Sequence, residues 1–249
     1  MKWRFIDSDL SEPTFTVAAD EAMALARSKR LAPNTLHLYR RKHPTVSLGY
    51  FQKVSESIDL DFCRANGIHV VRRVTGGSAI YTDSGHLIYG LAMGEEESPN
   101  REATMEKVCS AVVLALKELG VASVFKPAND VLVGGRKISG SAQMRRWGIV
   151  LQHGTLILRN RTDMMIGALR ADIEKVHSRG LEPSNYVISL AEALGHEPAI
   201  GEVKSAMLHG FEAALGAEFQ QATFSKYEKD TIAEFIESKY GRDDWNLKS

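Results

Sequence analysis

"NDVLVGGRKISGSAQMRRWGIVLQHGTLIL", residues 129–158, reads as strand, tight turn, strand, and then one further strand. The apolar run VLV stops at Gly134-Gly135, a pair suited to a two-residue hairpin turn because both central positions need φ > 0. KISGSAQ continues as the returning strand, with small residues at Ser139, Gly140, Ser141 and Ala142. GIVLQHGTLIL follows as a central strand, its apolar run broken only by Gln152 and His153. Strands joined this tightly run antiparallel, so the stretch predicts antiparallel sheet.

Outward from it, WRFIDS alternates as a strand. FTVAADEAMALARSK has helical spacing, with Phe15, Ala18, Ala22 and Leu25 on one face. TLHLYRR and TVSLGYF are strands divided by the turn KHP, DLDFCRANG is a short helix ended by a glycine, and IHVVRR is a strand. SAIYTDSGHLIYGLAM predicts a hairpin through Asp83-Ser84-Gly85. ATMEKVCSAVVLALKELG is the clearest helix, with Val108, Val112, Ala115, Leu116 and Leu119 in one stripe and Gly120 as its stop. From Thr162 the chain reads as mainly helical, apart from a late strand in AEFQQATF. The sum is an α+β fold, mostly antiparallel sheet with flanking helices on one face. No linker divides it, so residues 1–249 are expected to form one domain, with about 185–249 as a mainly helical terminal part.

The 249 residues are 44% hydrophobic and 25% charged, ordinary values for a globular protein. Lys plus Arg and Asp plus Glu number 31 each, so no global field recruits nucleic acid or an anionic membrane, and a basic site must be local. MKWRFIDSDL has no apolar signal core and no run has membrane-spanning length, which predicts a cytoplasmic protein. The two cysteines, Cys63 and Cys109, have no CxxC spacing and suggest neither a zinc cage nor a disulfide framework.

Four constellations can carry chemistry. VRRVTGGSAIYTD, residues 71–83, sets two arginines and two glycines between apolar runs. Glycines let main-chain N–H groups converge on an anion, and arginine adds a doubly donating fork. Neighbouring strand residues face opposite ways, so Arg72 and Arg73 cannot share a pocket unless the strand ends between them, and Arg73 is the better candidate. The alternative is a basic surface turn. Lys137 on its strand, beside small residues, can serve as a positioned cation for a phosphate or an oxyanion, or can be a solvated lysine after a hairpin. His153 is either a satisfied structural histidine or a ligand contact. Asn129-Asp130 is either a turn pair or a site where Asp130 holds Mg2+ beside a phosphate.

RRVTGGSA, NDVLV, GRKISGSAQ and LQHGTLIL in this order and spacing, with SLGYFQ at 47–52, resemble the lipoate–protein ligase and octanoyltransferase superfamily, of the biotinyl/lipoyl ligase fold. The resemblance runs from WRFIDS to about KYGRDDWN. It implies a lipoate ligase: the carboxylate of lipoate, or of its precursor octanoate, attacks the α-phosphorus of ATP, and a lysine of an acceptor domain then attacks the acyl-adenylate. Carried onto this chain, Arg73, with Arg72 as the second arginine and the N–H groups around Thr75, Gly76, Gly77 and Ser78, would hold phosphate and carboxylate oxygens. Lys137, the catalytic cation, would neutralise charge in both steps, with Ser139 and Gly140 beside it. Asn129 and Asp130 would bind adenine or Mg2+. His153 and Gly154 would line the acyl tunnel or brace the loop, and Leu48, Tyr50 and Ile80 would cover the aliphatic tail. Acceptors would be lipoyl domains, the glycine cleavage H protein or a related carrier. The family loop GGGA…HD departs here to Ser78 and Thr82, with Asp83 kept, so no role of the family's histidine passes to Thr82.

Within the superfamily, octanoyltransferases pass an octanoyl group from acyl carrier protein through a cysteine thioester, with the nucleophile near the GRK segment. Residues 121–160 contain no cysteine, which favours the ATP-dependent ligase over the transferase. Many ligases also carry a C-terminal accessory domain. The chain ends at Ser249, so the expectation is a catalytic domain alone, completed by a separately encoded accessory protein or by its own terminal helices. A non-catalytic lipoate-binding module is a third reading, disfavoured because simple acyl binding needs no cation at Lys137.

Overall fold

The computed structural model describes residues 2–98, 100–170 and 182–248. Its principal elements are β1 (Lys2–Ser11), α1 (Pro13–Ser28), β2 (Thr35–Arg41), β3 (Thr45–Leu48), α2 (Leu60–Ala65), β4 (His69–Arg72), β5 (Ile80–Thr82), β6 (His86–Gly94), α3 (Arg101–Glu118), β7 (Val124–Lys126), β8 (Asp130–Val133), β9 (Arg136–Arg146), β10 (Ile149–Ile157), α4 (Ile200–Leu215), β11 (Glu218–Gln221) and α5 (Lys226–Phe235). They build an eight-stranded sheet, β11-β1-β2-β6-β10-β9-β8-β7, and a three-stranded sheet, β4-β3-β5. β1 runs parallel to both its neighbours and β3 parallel to β4, while the remaining pairs are antiparallel. The fold is α+β with a mostly antiparallel sheet, as expected.

The 129–158 stretch folds as read. β8 and β9 are joined through Gly134 and Gly135, at φ +55 and +81, the left-handed pair that a two-residue hairpin requires. β10 lies between β6 and β9 near the middle of the large sheet.

Two expectations are corrected. Asp83-Ser84-Gly85 does not turn a hairpin: β5 pairs with β3 in the small sheet, and β6 with β2 and β10 in the large one. The turn therefore carries the chain from one sheet to the other. Helices also cover both faces of the large sheet. Leu36, Leu38, Leu87, Tyr89, Leu91 and Val150 pack with α3 and α4. The alternate positions Ala92, Ile149 and Leu151 pack with α1 and α5. Side chains alternate across a strand, so burial on both sides explains why all nine residues of β6 are buried.

Local chemistry sets the helix ends. Pro13 occupies the first turn of α1, where its missing N–H costs nothing. Asn100 caps α3 by accepting from the N–H groups of Glu102 and Ala103, and Asp59 caps α2 through Phe62. The alanines of α1 (Ala18, Ala19, Ala22, Ala24 and Ala26) let it lie close on the sheet. The late strand appears as β11, and helices fill most of the chain after Thr162; residues 171–181 of that expectation lie outside the described residues. Among the described residues, no helix is long and apolar enough to cross a membrane.

Candidate active site

The basic corner begins where β4 ends. Arg72 is the last residue of β4, but the Arg73 N–H still pairs with the Leu48 carbonyl at 3.0 Å, so the alternation carries on and sends the two arginines to opposite sides. Arg72 is fully buried. Its Nη1 donates to the carbonyls of Gly49 at 3.0 Å and Gln52 at 2.6 Å, its Nη2 to Lys248 at 2.7 Å and its Nε to Trp245 at 3.2 Å. Arg72 therefore ties two segments together, and it is not among the residues that line the cavity described below. Arg73 faces inward. It donates from Nε to Thr75 Oγ1 at 3.0 Å, from Nη1 to the Ser47 carbonyl at 2.7 Å, and from Nη2 to the carbonyls of Gly76 and Ser78 at 2.7 and 2.8 Å. The guanidinium organises the glycine loop as well as facing the cavity. Gly77 adopts φ +92, and a Cβ there would stand 3.0 Å from Arg73 Nη2.

On the opposite wall, the β8–β9 hairpin presents Lys137, whose Nζ lies 2.7 Å from Asp130 Oδ1. Gly140 makes room for it, since a Cβ there would meet Lys137 Cε at 2.5 Å. Asn129 Nδ2 donates to the Ser141 carbonyl at 2.6 Å, and the Ser141 N–H donates back to Asn129 at 3.0 Å. Asn129 thus braces the hairpin. Among the described residues no group of three or more His, Cys, Asp or Glu could hold a metal ion. Asp130, the position expected to take Mg2+, serves as the counter-ion of Lys137.

Between these walls lies a cavity of about 200 Å³. Of the residues expected at a site, Arg73, Gly77, Ser78, Asn129, Asp130, Lys137, Gly140, His153 and Gly154 line it. Thr75 and Gly76 stand behind that wall, held through Arg73. Ser139, 1% exposed, is buried off the cavity, as is Arg72. Of the three residues expected over the acyl tail, Ile80 lines the cavity. Leu48 is instead in the core of the small sheet, and Tyr50 packs against Trp245.

The structure adds residues with no motif: Asp20 from α1, and Tyr39 and Arg41 from β2. Asp20 is 2% exposed. Burial alone would raise its carboxyl, but the hydrogen bond from His153 and then the nearby ring of His37, 3.8 Å away, bring it down to about 2. The one sequence signal was a charged pair inside the alanine run VAADEAMALA. His153 reaches Asp20 Oδ2 with Nδ1 at 3.0 Å and Thr75 Oγ1 with Nε2 at 2.6 Å. It is both a cavity residue and a brace of the loop.

Neither cysteine is poised as a nucleophile. Cys63 lies in the core of the small sheet and Cys109 on the buried face of α3. Burial pushes each thiol up to about 11. Cys109 Sγ lies 3.6 Å from the hydroxyl of Ser141, which itself lines the cavity.

Residues 12–212 match the description of the lipoyl protein ligase A/B catalytic domain. The chain belongs to that family. It is similar to the octanoyltransferase LipM of Symbiobacterium thermophilum, 32% identical over 99% of this chain and 98% of that protein. A solved bipartite lipoate protein ligase of Thermoplasma acidophilum, described with its E2 lipoyl domain, has a TM-score of 0.87 at 26% identity, over 99% of this chain and 96% of that one. A lipoate-protein ligase A solved with ATP has a TM-score of 0.84 at 27% identity, covering 99% of both. The chain is thus an enzyme of the lipoyl/biotin ligase superfamily, with protein lipoylation as its broad field. The expected ATP-dependent, AMP-forming ligation is corrected, because curated relatives spanning nearly the whole chain are octanoyltransferases. The lack of a cysteine in 121–160 was a poor guide to the reaction.

Proposed function

We propose that this protein transfers an octanoyl group, already activated as a thioester on a carrier such as acyl carrier protein, to a lysine of a lipoyl domain, glycine cleavage H protein or related acceptor. The observation that carries the reading is the octanoyltransferase relative at 32% identity along 99% of the chain. The cavity, about 200 Å³, is below the roughly 300–1,000 Å³ of drug-sized ligand sites and suits a single acyl chain.

The acceptor amine attacks the thioester carbonyl. A C–N bond forms, the C–S bond breaks, and the carrier thiolate leaves with the proton that the amine gives up. Charge collects on the carbonyl oxygen in the transition state, and the Lys137 ammonium is the cation to offset it. Asp130 and Gly140 hold that ammonium against the strand. Gly77 and Ser78 bound the cavity from the loop side, with Arg73 fixing the loop. No cysteine adduct is required: both thiols are buried and protonated at neutral pH. A thioester also arrives activated, so the reaction needs neither ATP nor Mg2+.

The test is intact mass spectrometry of an acceptor domain incubated with this protein and octanoyl–acyl carrier protein. One octanoyl addition without ATP is expected, lost in Lys137→Ala and retained in the Cys63→Ala/Cys109→Ala double variant. Addition only from free octanoate or lipoate with ATP and Mg2+ would overturn the reading. An acceptor left unmodified under every condition would overturn it too and point to a binding module.

A further inference from the structure

A carboxylate inside an alanine-rich helix face is costly to bury unless it is paired and hydrogen-bonded. Asp20 lies there, on α1, and leads through side chains from β10 and the 73–78 segment to the glycine loop. A carboxylate only accepts, so the His153 nitrogen 3.0 Å from Asp20 Oδ2, Nδ1, carries a proton. In the neutral ring Nε2 is then an acceptor. The Thr75 hydroxyl, 2.6 Å away, donates to it. The oxygen of Thr75 is free to accept in turn, and Arg73 Nε donates to it at 3.0 Å. The rest of the Arg73 fork gathers the carbonyls of Ser47, Gly76 and Ser78. Every donor in the line points towards Asp20, the arrangement in which successive hydrogen bonds polarise one another.

We propose that Asp20 is a positioning residue for acyl transfer: it fixes the tautomer of His153, and through Thr75 and Arg73 it sets the conformation of the 73–78 loop over the acyl cavity. The consequence for activity rests on the octanoyl-transfer reading above; the consequence for the loop does not. Asp20 need not touch the reacting atoms. Tyr39, which lines the same cavity, also donates to Asp20 Oδ2 at 3.2 Å, so the carboxylate anchors the β2 side of the cavity as well as the loop. Removal of one link would leave loop carbonyls turned off the Arg73 fork and the cavity wall displaced. Misplacement by about 1 Å typically costs about 100-fold in rate.

The test compares Thr75→Val, which keeps the shape and removes the hydroxyl, with Thr75→Ser, which keeps the hydroxyl, and adds Asp20→Asn. Amide hydrogen exchange over 74–79 and the nitrogen NMR shifts of His153 are read on the protein alone, without acyl donor. Wild type is expected to show the Nδ1–H tautomer. Thr75→Val should speed exchange in that loop about tenfold or more while α3 and α4 keep their protection. Thr75→Ser should restore slow exchange, and Asp20→Asn should shift the His153 tautomer and loosen the same loop. With octanoyl–acyl carrier protein, Thr75→Val should lower kcat about 10- to 100-fold with a smaller change in KM, and Thr75→Ser should recover most of it. Unchanged loop exchange in Thr75→Val, or a uniform loss of protection across the molecule, would overturn the proposal. If Asp20→Asn does not fold, the Thr75 pair and the wild-type tautomer still decide it. Loop and tautomer results as expected with no octanoyl transfer by wild type would overturn the transfer reading alone.

Discussion

In the proposed transfer, Lys137 can act only if its long side chain lies down along β9. A Cβ at residue 140 would stand 2.5 Å from Lys137 Cε and 2.6 Å from Nζ. Those atoms are the far end of a flexible side chain, so the clash is relieved by moving the ammonium and not the backbone. Gly140→Ala should therefore leave stability within about 1 kcal/mol of wild type, since alanine suits a strand no worse than glycine. Acyl transfer should fall at least about tenfold, as a displaced cation no longer meets the developing oxyanion. Thermal melting and initial rates measured together check this. A melting temperature that drops while kcat holds would show Gly140 to be a packing residue.

Elements show why some of the site was legible and some was not. The β8–β9 hairpin was legible because its signal is local: two glycines that must adopt φ > 0 between short apolar runs. The separation of Arg72 from Arg73 followed from strand parity. The false hairpin at Asp83-Ser84-Gly85 had an equally good turn signal, but β5 finds its partner in β3, about 35 residues upstream, and nothing local reports that. The role of Asp20 was hidden for a related reason: its partner His153 is 133 positions away. Arg72 marks the same dependence of one element on another. It anchors the last described turn to the 49–52 loop, on which the glycine loop rests: the Tyr50 N–H donates to the Thr75 carbonyl at 2.9 Å. Lysine supplies three donors from a single point and cannot span these carbonyls. Arg72→Lys should cost about 2–4 kcal/mol by stranding buried carbonyls. Hydrogen exchange should rise first in 242–248 and 49–52, and equal protection there in both proteins would argue against the tie.

Across the whole molecule, the chain closes on itself through α5 and β1. Arg4 Nη1 donates to Glu228 Oε2 at 2.8 Å and Nη2 to Oε1 at 2.5 Å, while Ser225 and Glu228 form a capping box at the start of α5. Glu228 is fully buried and Arg4 nearly so. Burial alone would raise the Glu228 carboxyl, but the Arg4 fork, then the Ser225 N–H, bring it below its ordinary 4.5. A carboxyl depressed on folding stabilises the folded state above its unfolded value and loses that contribution as pH falls through the lower folded value. The pair should thus hold the terminal helices at neutral pH, begin to weaken below about pH 4.5, and lose its contribution as pH falls through the lower folded value. Glu228→Gln leaves Arg4 buried without a counter-charge and should destabilise by about 3–5 kcal/mol at pH 7. That difference should shrink as pH drops, because protonation of wild type removes the same charge. Arg4→Met/Glu228→Leu, with neither charge, should recover much of the loss, since an apolar pair of similar volume is often as stable as a buried ion pair. Urea unfolding of the four proteins at pH 7 and pH 4 decides it: a Glu228→Gln penalty of equal size at both values would place the stabilisation in the capping box and not in the ion pair.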